Sequence, residues 1–349
     1  MLNEFWQLLT HDIAIDLGTA TTLVAVRGIG VVINEPSVVA VNTKNKQVLA
    51  VGTEAKQMIG RTPASVIAVR PLRDGVISDF DTAEAMIRYF IQRVYKSYGG
   101  SFKINKPRVV IGIPSLITEV EARAVMDAAR SAGARKVYVI EEPVAAAIGV
   151  GLPIEDAVGS MVIDIGGGTT DIAVISMGGL VVDNTIKIAG DEMDEAIVEY
   201  AKHKYNVLIG EKMAEDLKIK IGSTYIMKEE LHSEISGRDM ITGLPKTITI
   251  SSIEVREALE KVVEKIYEAA REAIERTPPE ILSDLIERGI IVVGGGALLR
   301  GIDKYLSERL KTPVRIGEDP TRAVVNGAYK LLDQLELLEK IQVKDSAFM

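Results

Sequence analysis

Short runs of apolar, largely β-branched residues alternate along the chain with longer stretches in which apolar positions recur every three to four residues. That pattern predicts strands alternating with amphipathic helices, an α/β protein. Two pairs of runs share one layout. In Asp12-Ile-Ala-Ile-Asp16-Leu-Gly18-Thr19-Ala20-Thr21-Thr22-Leu-Val-Ala-Val26 an apolar run closes on an Asp, a Gly-Thr turn follows, and a second run begins at once. The stretch Met161-Val-Ile-Asp164-Ile-Gly166-Gly167-Gly168-Thr169-Thr170-Asp171-Ile-Ala-Val-Ile175 repeats it. Each predicts a β-hairpin whose turn presents backbone N–H groups. Glycines let that backbone approach a ligand, and a nest of N–H groups favours an anion such as phosphate. The Asp alongside is a natural place for a hydrated metal ion. A lone Gly-Gly-Gly turn is equally well a plain tight hairpin. Its recurrence about 150 positions away, a domain's length, points to two hairpins clasping one ligand. Neither is a P-loop, which needs Gly-Lys-Ser/Thr opening a helix, and neither fits the strand-to-helix dinucleotide fingerprint.

Between and beyond these hairpins the pattern is regular. Strands are expected at Val31–Ile33, Ser37–Val41 and Val48–Val51, with a short helix near Thr53–Ile59 that ends at Gly60, a small inserted α/β piece. Asp81 with Glu84 predicts a capped helix to about Ser97, and Thr118 with Glu121 a second one to about Ala132. Arg108–Ile113 and Lys136–Ile140 are expected as strands. The second runs into Glu142-Pro143 and an Ala/Gly-rich helix to Gly149, whose small residues permit close packing between lobes. Glu142 stands at a strand end, where α/β folds bind ligands. It either activates a water or simply favours a helix N-terminus. Gly190-Asp191-Glu192-Met193-Asp194 is an acidic helix start, and Glu215 with Lys218 at i, i+3 is expected as a surface pair. Ser223 to Ile250 reads as strands and turns; Ser251 with Glu254 caps a long helix to Arg276, stopped by Pro278-Pro279. Then Ile290–Val293 runs into Gly294-Gly295-Gly296-Ala297-Leu298, a strand turning into a helix with backbone bare enough for a flat ligand. A closing helix is expected over about Thr321–Glu339, with small residues at Gly327-Ala328.

With 349 residues, 47% hydrophobic, the chain is long enough for two lobes. A net charge of −8 and no long basic tract argue against nucleic acid as a main partner. Without Cys there is no disulfide, thiolate metal site or cysteine nucleophile, which suits a reducing cytoplasm. The three His are far apart and show no metal-ligand spacing. No apolar run is long enough to span a membrane, and no signal peptide is evident. At ~100° per residue, Leu2, Phe5, Trp6, Leu8 and Leu9 share one side of residues 1–10. Two readings stand: a terminal helix docked on the core, or an interfacial membrane anchor strengthened by many copies on a filament. Tyr98, Phe102 and Ile104, interleaved with basic residues around Gly99-Gly100, form either a solvated loop or a second membrane-facing one.

Taken in order, two Asp-Gly-Thr hairpins, the helix after Glu142, the late Gly-Gly-Gly turn and the small-residue closing helix resemble the ATPase fold shared by actin, heat-shock chaperones and sugar kinases. Asn34-Glu-Pro-Ser-Val, Gly60-Arg-Thr-Pro, Arg70-Pro-Leu-Arg-Asp-Gly-Val-Ile, Glu142-Pro-Val-Ala-Ala-Ala-Ile-Gly, Asp164-Ile-Gly-Gly-Gly-Thr-Thr, Arg276-Thr-Pro-Pro-Glu and Gly294-Gly-Gly-Ala-Leu-Leu-Arg-Gly narrow it. Over nearly its whole length the chain resembles the MreB family of bacterial actins, including its Mbl paralogue. Two positions depart: Thr21, where the family commonly has Asn, and Asp171, where many members have Glu, the latter nearer the Mbl pattern.

The resemblance implies two lobes, each with a mixed five-stranded sheet, and Mg-ATP in the cleft between them. It implies a first-lobe core from 11–33, 71–145 and 320–349 with an insertion at 34–70. It implies a second-lobe core from 146–181 and 246–319 with an insertion at 182–245. By resemblance, Gly18, Thr19, Ala20 and Thr21 cradle phosphate from the first lobe, and Gly166, Gly167, Gly168 and Thr169 from the second. Asp16 and Asp164 hold Mg²⁺ through water; Glu142 and Thr169 position the attacking water. Glu215, Asp216, Leu217 and Lys218 lie on the ribose and adenine side, and Gly294, Gly295, Gly296, Ala297 and Leu298 line the adenine. The implied function is an ATP-binding actin that forms antiparallel double filaments at the inner face of the cytoplasmic membrane. There it works with membrane proteins of the elongation machinery to set rod shape, with slow ATP hydrolysis linked to filament turnover. The alternatives are a soluble small-molecule kinase, for which no large insertion builds a substrate pocket, and a cytosolic plasmid-segregating actin, which needs no apolar N-terminal face. A chaperone ATPase would need a substrate domain after the closing helix.

Overall fold

The structure is a computed structural model that describes residues 12–98, 106–115 and 117–343. Leu2, Phe5, Trp6, Leu8, Leu9, Phe102 and Ile104 therefore lie outside the described residues, as does His11. The chain forms two compact units, Met1–Val158 with Ile175–Leu180 and Arg322–Met349 in one, and Gly159–Val174 with Val181–Thr321 in the other.

The first unit opens on β1 (Ile13–Leu17), β2 (Thr21–Val26) and β3 (Gly30–Pro36), and later adds two more strands to their sheet. Before those come β4 (Val39–Asn42), β5 (Val48–Val51), α1 (Thr53–Met58), β6 (Val66–Val69), β7 (Leu72–Arg73), β8 (Val76–Ile77) and α2 (Phe80–Tyr98). Then follow β9 (Arg108–Ile113), α3 (Glu119–Ser131), β10 (Lys136–Glu141) and α4 (Glu142–Gly149). The main sheet has the order β10-β9-β1-β2-β3, with β1 antiparallel to β2 and parallel to β9. Because side chains alternate across a strand, Ile13, Ile15 and Leu17 join Met86 and Phe90 of α2 and Val125 of α3 in one core. Asp16 faces the other way. Strands β5-β4-β6 with α1 form the small insertion, around a core of Val38, Ala40, Ala50 and Ala55.

The capping box of Thr118 and Glu121 is present as expected. The cap of α2 is not Asp81: the carboxylate of Asp79 accepts from Thr82 N at 3.0 Å, so the helix begins two residues earlier. Two Asp lie two apart there, and the backbone turn selects the first.

The second unit contains β11 (Ser160–Ile165), most of β12 (Thr170–Ser176) and of β13 (Gly179–Ile186), α5 (Gly190–Tyr205), β14 (Val207–Leu208) and α6 (Glu211–Ile221). It continues with β15 (His232–Asp239), β16 (Pro245–Ser251), α7 (Ser252–Glu275), α8 (Pro279–Arg288), β17 (Ile290–Val293), α9 (Ile302–Leu310) and β18 (Val314–Ile316). Its five-stranded sheet runs β13-β12-β11-β17-β18, and β14-β15-β16 form a smaller one. The core packs Ile163, Ile165, Ile172 and Val292 of the sheet against Ile197 of α5 and Leu259 and Val263 of α7. Ser251 and Glu254 cap α7 as expected.

The chain ends its described course in the first unit with α10 (Ala323–Leu331) and α11 (Leu335–Ile341). The single closing helix expected over Thr321–Glu339 is thus a 3-10 turn and two helices. The small residues expected to pack lobes together instead pack α4 on α10 within this one unit. A Cβ on Gly327 would lie 2.6 Å from the carbonyl carbon of Ala145, and one on Gly149 would lie 2.7 Å from that of Ala323. The backbones touch because neither glycine has a side chain. Lys330 Nζ closes the contact, donating to the carbonyls of Ile148 and Gly149 at 2.9 and 2.8 Å.

Candidate nucleotide site

In the first unit three neighbouring strands bring the expected residues together. Asp16 of β1 is paired in register with Gly112 of β9, and Gly112 with Ile140 of β10. Glu142 follows two residues after Ile140, at the first turn of α4. A Cβ on Gly112 would meet Val324 Cγ1 at 2.9 Å and Glu142 Cγ at 3.5 Å. The glycine therefore makes room for Val324 of α10, while Glu142, buried beside it, would meet a Cβ only at ordinary contact distance. Burial pushes the Asp16 carboxyl up to about 7. The turn from Gly18 to Thr21 is tight: a Cβ on Gly18 would sit 2.7 Å from Thr21 O. Ser37 holds it, donating from Oγ to Gly18 O at 2.6 Å and from N to Ala20 O at 3.1 Å. Its hydroxyl also bonds that of Thr22 at 2.8 Å.

In the second unit Asp164 and Thr169 are buried, and Gly166 N donates to Thr169 O at 2.9 Å to close the turn. Asp164 is paired in register with Val293 of β17, which places the third glycine element beside the hairpin. Gly294 has φ 81°, and a Cβ there would press on the Asp164 carboxylate and lie 2.7 Å from the Ile165 carbonyl carbon. Gly296 is equally constrained, by Ile165. Gly295 is not: a Cβ there meets nothing within 4 Å. The strand after which a helix was expected turns instead into a 3-10 helix, Gly295–Leu298, with α9 starting only at Ile302. Leu298 is exposed, whereas the side chains of Ala297, and of Leu217 on α6, are buried in the core.

Lys218 departs from the surface pair expected with Glu215. Its Nζ lies 2.9 Å from Asp194 Oδ1 and donates to Gly190 O at 2.8 Å. Burial outweighs the Lys218 ammonium and raises the Asp194 carboxyl to about 6.

Sequence reasoning passed over Gly112, Ser37 and Asp194. Gly112 carried a signal, a lone glycine in an otherwise apolar strand, which marks close approach of another group. The other two act through tertiary contacts that no spacing displays.

A model of the MreB/Mbl protein family matches residues 10–340. The chain belongs to the MreB/Mbl family. Among curated relatives, this MreB/Mbl chain is 50% identical over 335 residues to the cell shape-determining protein Mbl of Bacillus subtilis (strain 168), covering 95% of this chain and 99% of the relative. It is 47% identical over 341 residues to the cell shape-determining protein MreB of Escherichia coli (strain K12), covering 97% of each. Among solved structures it is similar to MreB5 of Spiroplasma citri bound to ADP, with a TM-score of 0.88 and 40% identity over 94% of this chain and 98% of that one. The MamK double helical filament, 22% identical with a TM-score of 0.77 over 92% of this chain and 99% of that one, shares the fold. The MreB/Mbl chain thus has the two mixed five-stranded sheets of the actin-like ATPase fold.

The donor set also fits a particular metal. Among the described residues no three metal-ligating side chains cluster. Mg²⁺ is held by one or two carboxylates, with waters and phosphate oxygens completing its shell. Asp16 and Asp164, each beside a glycine turn, offer carboxylates of that kind, and a half-buried Asp16 whose carboxyl desolvation holds up near 7 would be stabilised in its charged form by a cation.

Proposed function

We propose that this chain binds ATP with Mg²⁺ and polymerises into antiparallel double filaments on the inner face of the cytoplasmic membrane. There they organise the membrane proteins of cell-wall elongation and determine rod shape. The observation that carries the nucleotide reading is Gly295, a glycine that the protein's own packing does not require. It stands beside a hairpin that closes on a buried Asp. The structure of MreB5 bound to ADP, and a second bound to AMPPNP, support the ligand class. The names of the Mbl and MreB relatives support the role in cell shape. The MamK filament supports self-association.

In this reading the amides of Gly18–Thr21 and Gly166–Thr169 bind phosphate. Asp16 and Asp164 hold the hydrated cation, which when bound neutralises phosphate charge. Glu142, at the first turn of α4, orients a water together with Thr169, and hydrolysis is slow. Glu215 and Asp216 serve the ribose side. Residues 1–9 supply the membrane contact with Tyr98 and its following loop. No helix among the described residues is long and apolar enough to cross a membrane.

Electron microscopy of the purified protein with Mg-ATP, with and without vesicles of anionic lipid, tests the proposal. Paired filaments lying on vesicles are expected. Filaments that ignore lipid would remove the membrane half of the proposal. No filaments in any nucleotide would overturn the cytoskeletal reading and favour a soluble kinase.

A further inference from the structure

The carbonyls of the second glycine turn do not face solvent. Gly190 N donates to Gly166 O at 3.2 Å, and Asp191 N donates to Gly167 O at 2.7 Å. Both donors belong to the first turn of α5. A trans peptide is planar, with its C=O and the next N–H pointing in opposite directions. Pulling the carbonyls of Gly166 and Gly167 toward α5 therefore turns the N–H groups of Gly167 and Gly168 away from it. Those are the amides available to an anion. The orientation of the cradle is set by where the first turn of α5 sits.

That turn is itself held from behind. Lys218 on α6 donates to Gly190 O at 2.8 Å and forms an ion pair with the Asp194 carboxylate, its Nζ 2.9 Å from Oδ1. The layers are in contact: a Cβ on Gly190 would meet Gly166 O at 3.3 Å, Lys218 Nζ at 3.4 Å and Gly167 Cα at 3.5 Å. Both partners of the ion pair are largely shielded, with side chains 16% and 12% exposed. A shielded pair fixes geometry more firmly than an exposed one, because removing one partner strands the other charge.

We infer that Lys218 and Asp194 are positioning residues that strap α5 behind the second glycine turn and so aim its amides at the ligand's phosphates. This rests on the nucleotide reading above and deepens it. Lys218 then acts on phosphates through α5, not on the ribose by touching it.

The test is a phosphate series. Dissociation constants for ATP, ADP and AMP are measured by calorimetry for the wild-type chain, Lys218→Met and Asp194→Asn. The strap predicts a loss that grows with phosphate number, about tenfold or more for ATP and near none for AMP, and the same grading in both variants. An equal loss for all three ligands would mean that Lys218 touches the nucleoside, and would overturn the inference. So would an unaffected Asp194→Asn. Hydrogen exchange on the ligand-free proteins gives a second readout. The segment 165–170 should exchange several-fold faster in both variants while α7 is unchanged, and equal rates would overturn the strap. Failure of the wild-type chain to bind any of the three would overturn the nucleotide reading instead.

Discussion

Replacing Gly327 by Ala should destabilise the first unit, although alanine is the better helix former. In an isolated helix the change would stabilise by about 1 kcal/mol. Here the new Cβ would lie 2.6 Å from the carbonyl carbon of Ala145 and 3.0 Å from Gly149 N, with the carbonyl oxygen closer still. Carbon–carbon contacts are comfortable at roughly 3.5–4.0 Å, so α10 and α4 must part by about 1 Å. Overpacking of that kind costs about 1–3 kcal/mol. The same displacement stretches the 2.8 and 2.9 Å bonds from Lys330 beyond hydrogen-bonding range. Their loss adds about 1.5 kcal/mol, the lower figure for a charged donor with partial exposure. The net expectation is a loss of about 2–3 kcal/mol. Urea denaturation followed by circular dichroism should show a lower midpoint, and Lys330→Met alone should reproduce the smaller part. A Gly327→Ala chain as stable as wild type, or more so, would refute backbone-to-backbone contact between these helices.

Two further outcomes follow from other sites. Gly295→Ala should leave stability within ~0.5 kcal/mol, as for an open surface position, yet weaken ATP binding about tenfold. Undiminished binding would remove this turn from the ligand's reach. The Glu254 carboxyl is raised by burial but lowered more by hydrogen bonds from Tyr205, the Ser251 amide and hydroxyl, and Lys204, to about 2. A depressed carboxylate contributes stability above its unfolded value of 4.5, and that contribution is lost as pH falls toward 2. Glu254→Gln should therefore cost up to about 3 kcal/mol at pH 7, with the difference from wild type closing between pH 4.5 and 2 in urea titrations. A constant difference would deny the linkage.

Much of this architecture is legible in the chain because it is local. The hairpins at Asp16 and Asp164 announce themselves by an apolar run, a glycine turn and a second run, and the caps at Thr118 and Ser251 by their spacing to Glu. What escaped depends on which elements meet. Nothing near Lys218 indicates that its partner is Asp194, 24 positions earlier and on another helix, since the i, i+3 neighbour Glu215 is the obvious choice. Nothing near Gly149 or Gly327 indicates that they face each other. The break in the closing helix was equally hidden, because a helical pattern of apolar residues continues through it. Glycine proved two-sided: at Gly294 and Gly296 the protein's own packing excludes a side chain, and at Gly295 it does not.

The first described residue, Asp12, is fully buried and accepts from Arg108 N at 2.8 Å and from Arg108 Nε at 2.9 Å. Whatever precedes it in the chain is thus riveted at its root to the edge of β9. Strand β1 lies in the middle of its sheet, flanked by β9 and β2. A tug on the N-terminal segment runs along that strand and loads both ladders of hydrogen bonds in shear, where they yield together rather than one by one. If residues 1–9 grip a membrane, mechanical drag between bilayer and filament reaches the central strand of this sheet, not a hinge or a loose end. The buried Asp12–Arg108 clasp is the mooring of such a tether.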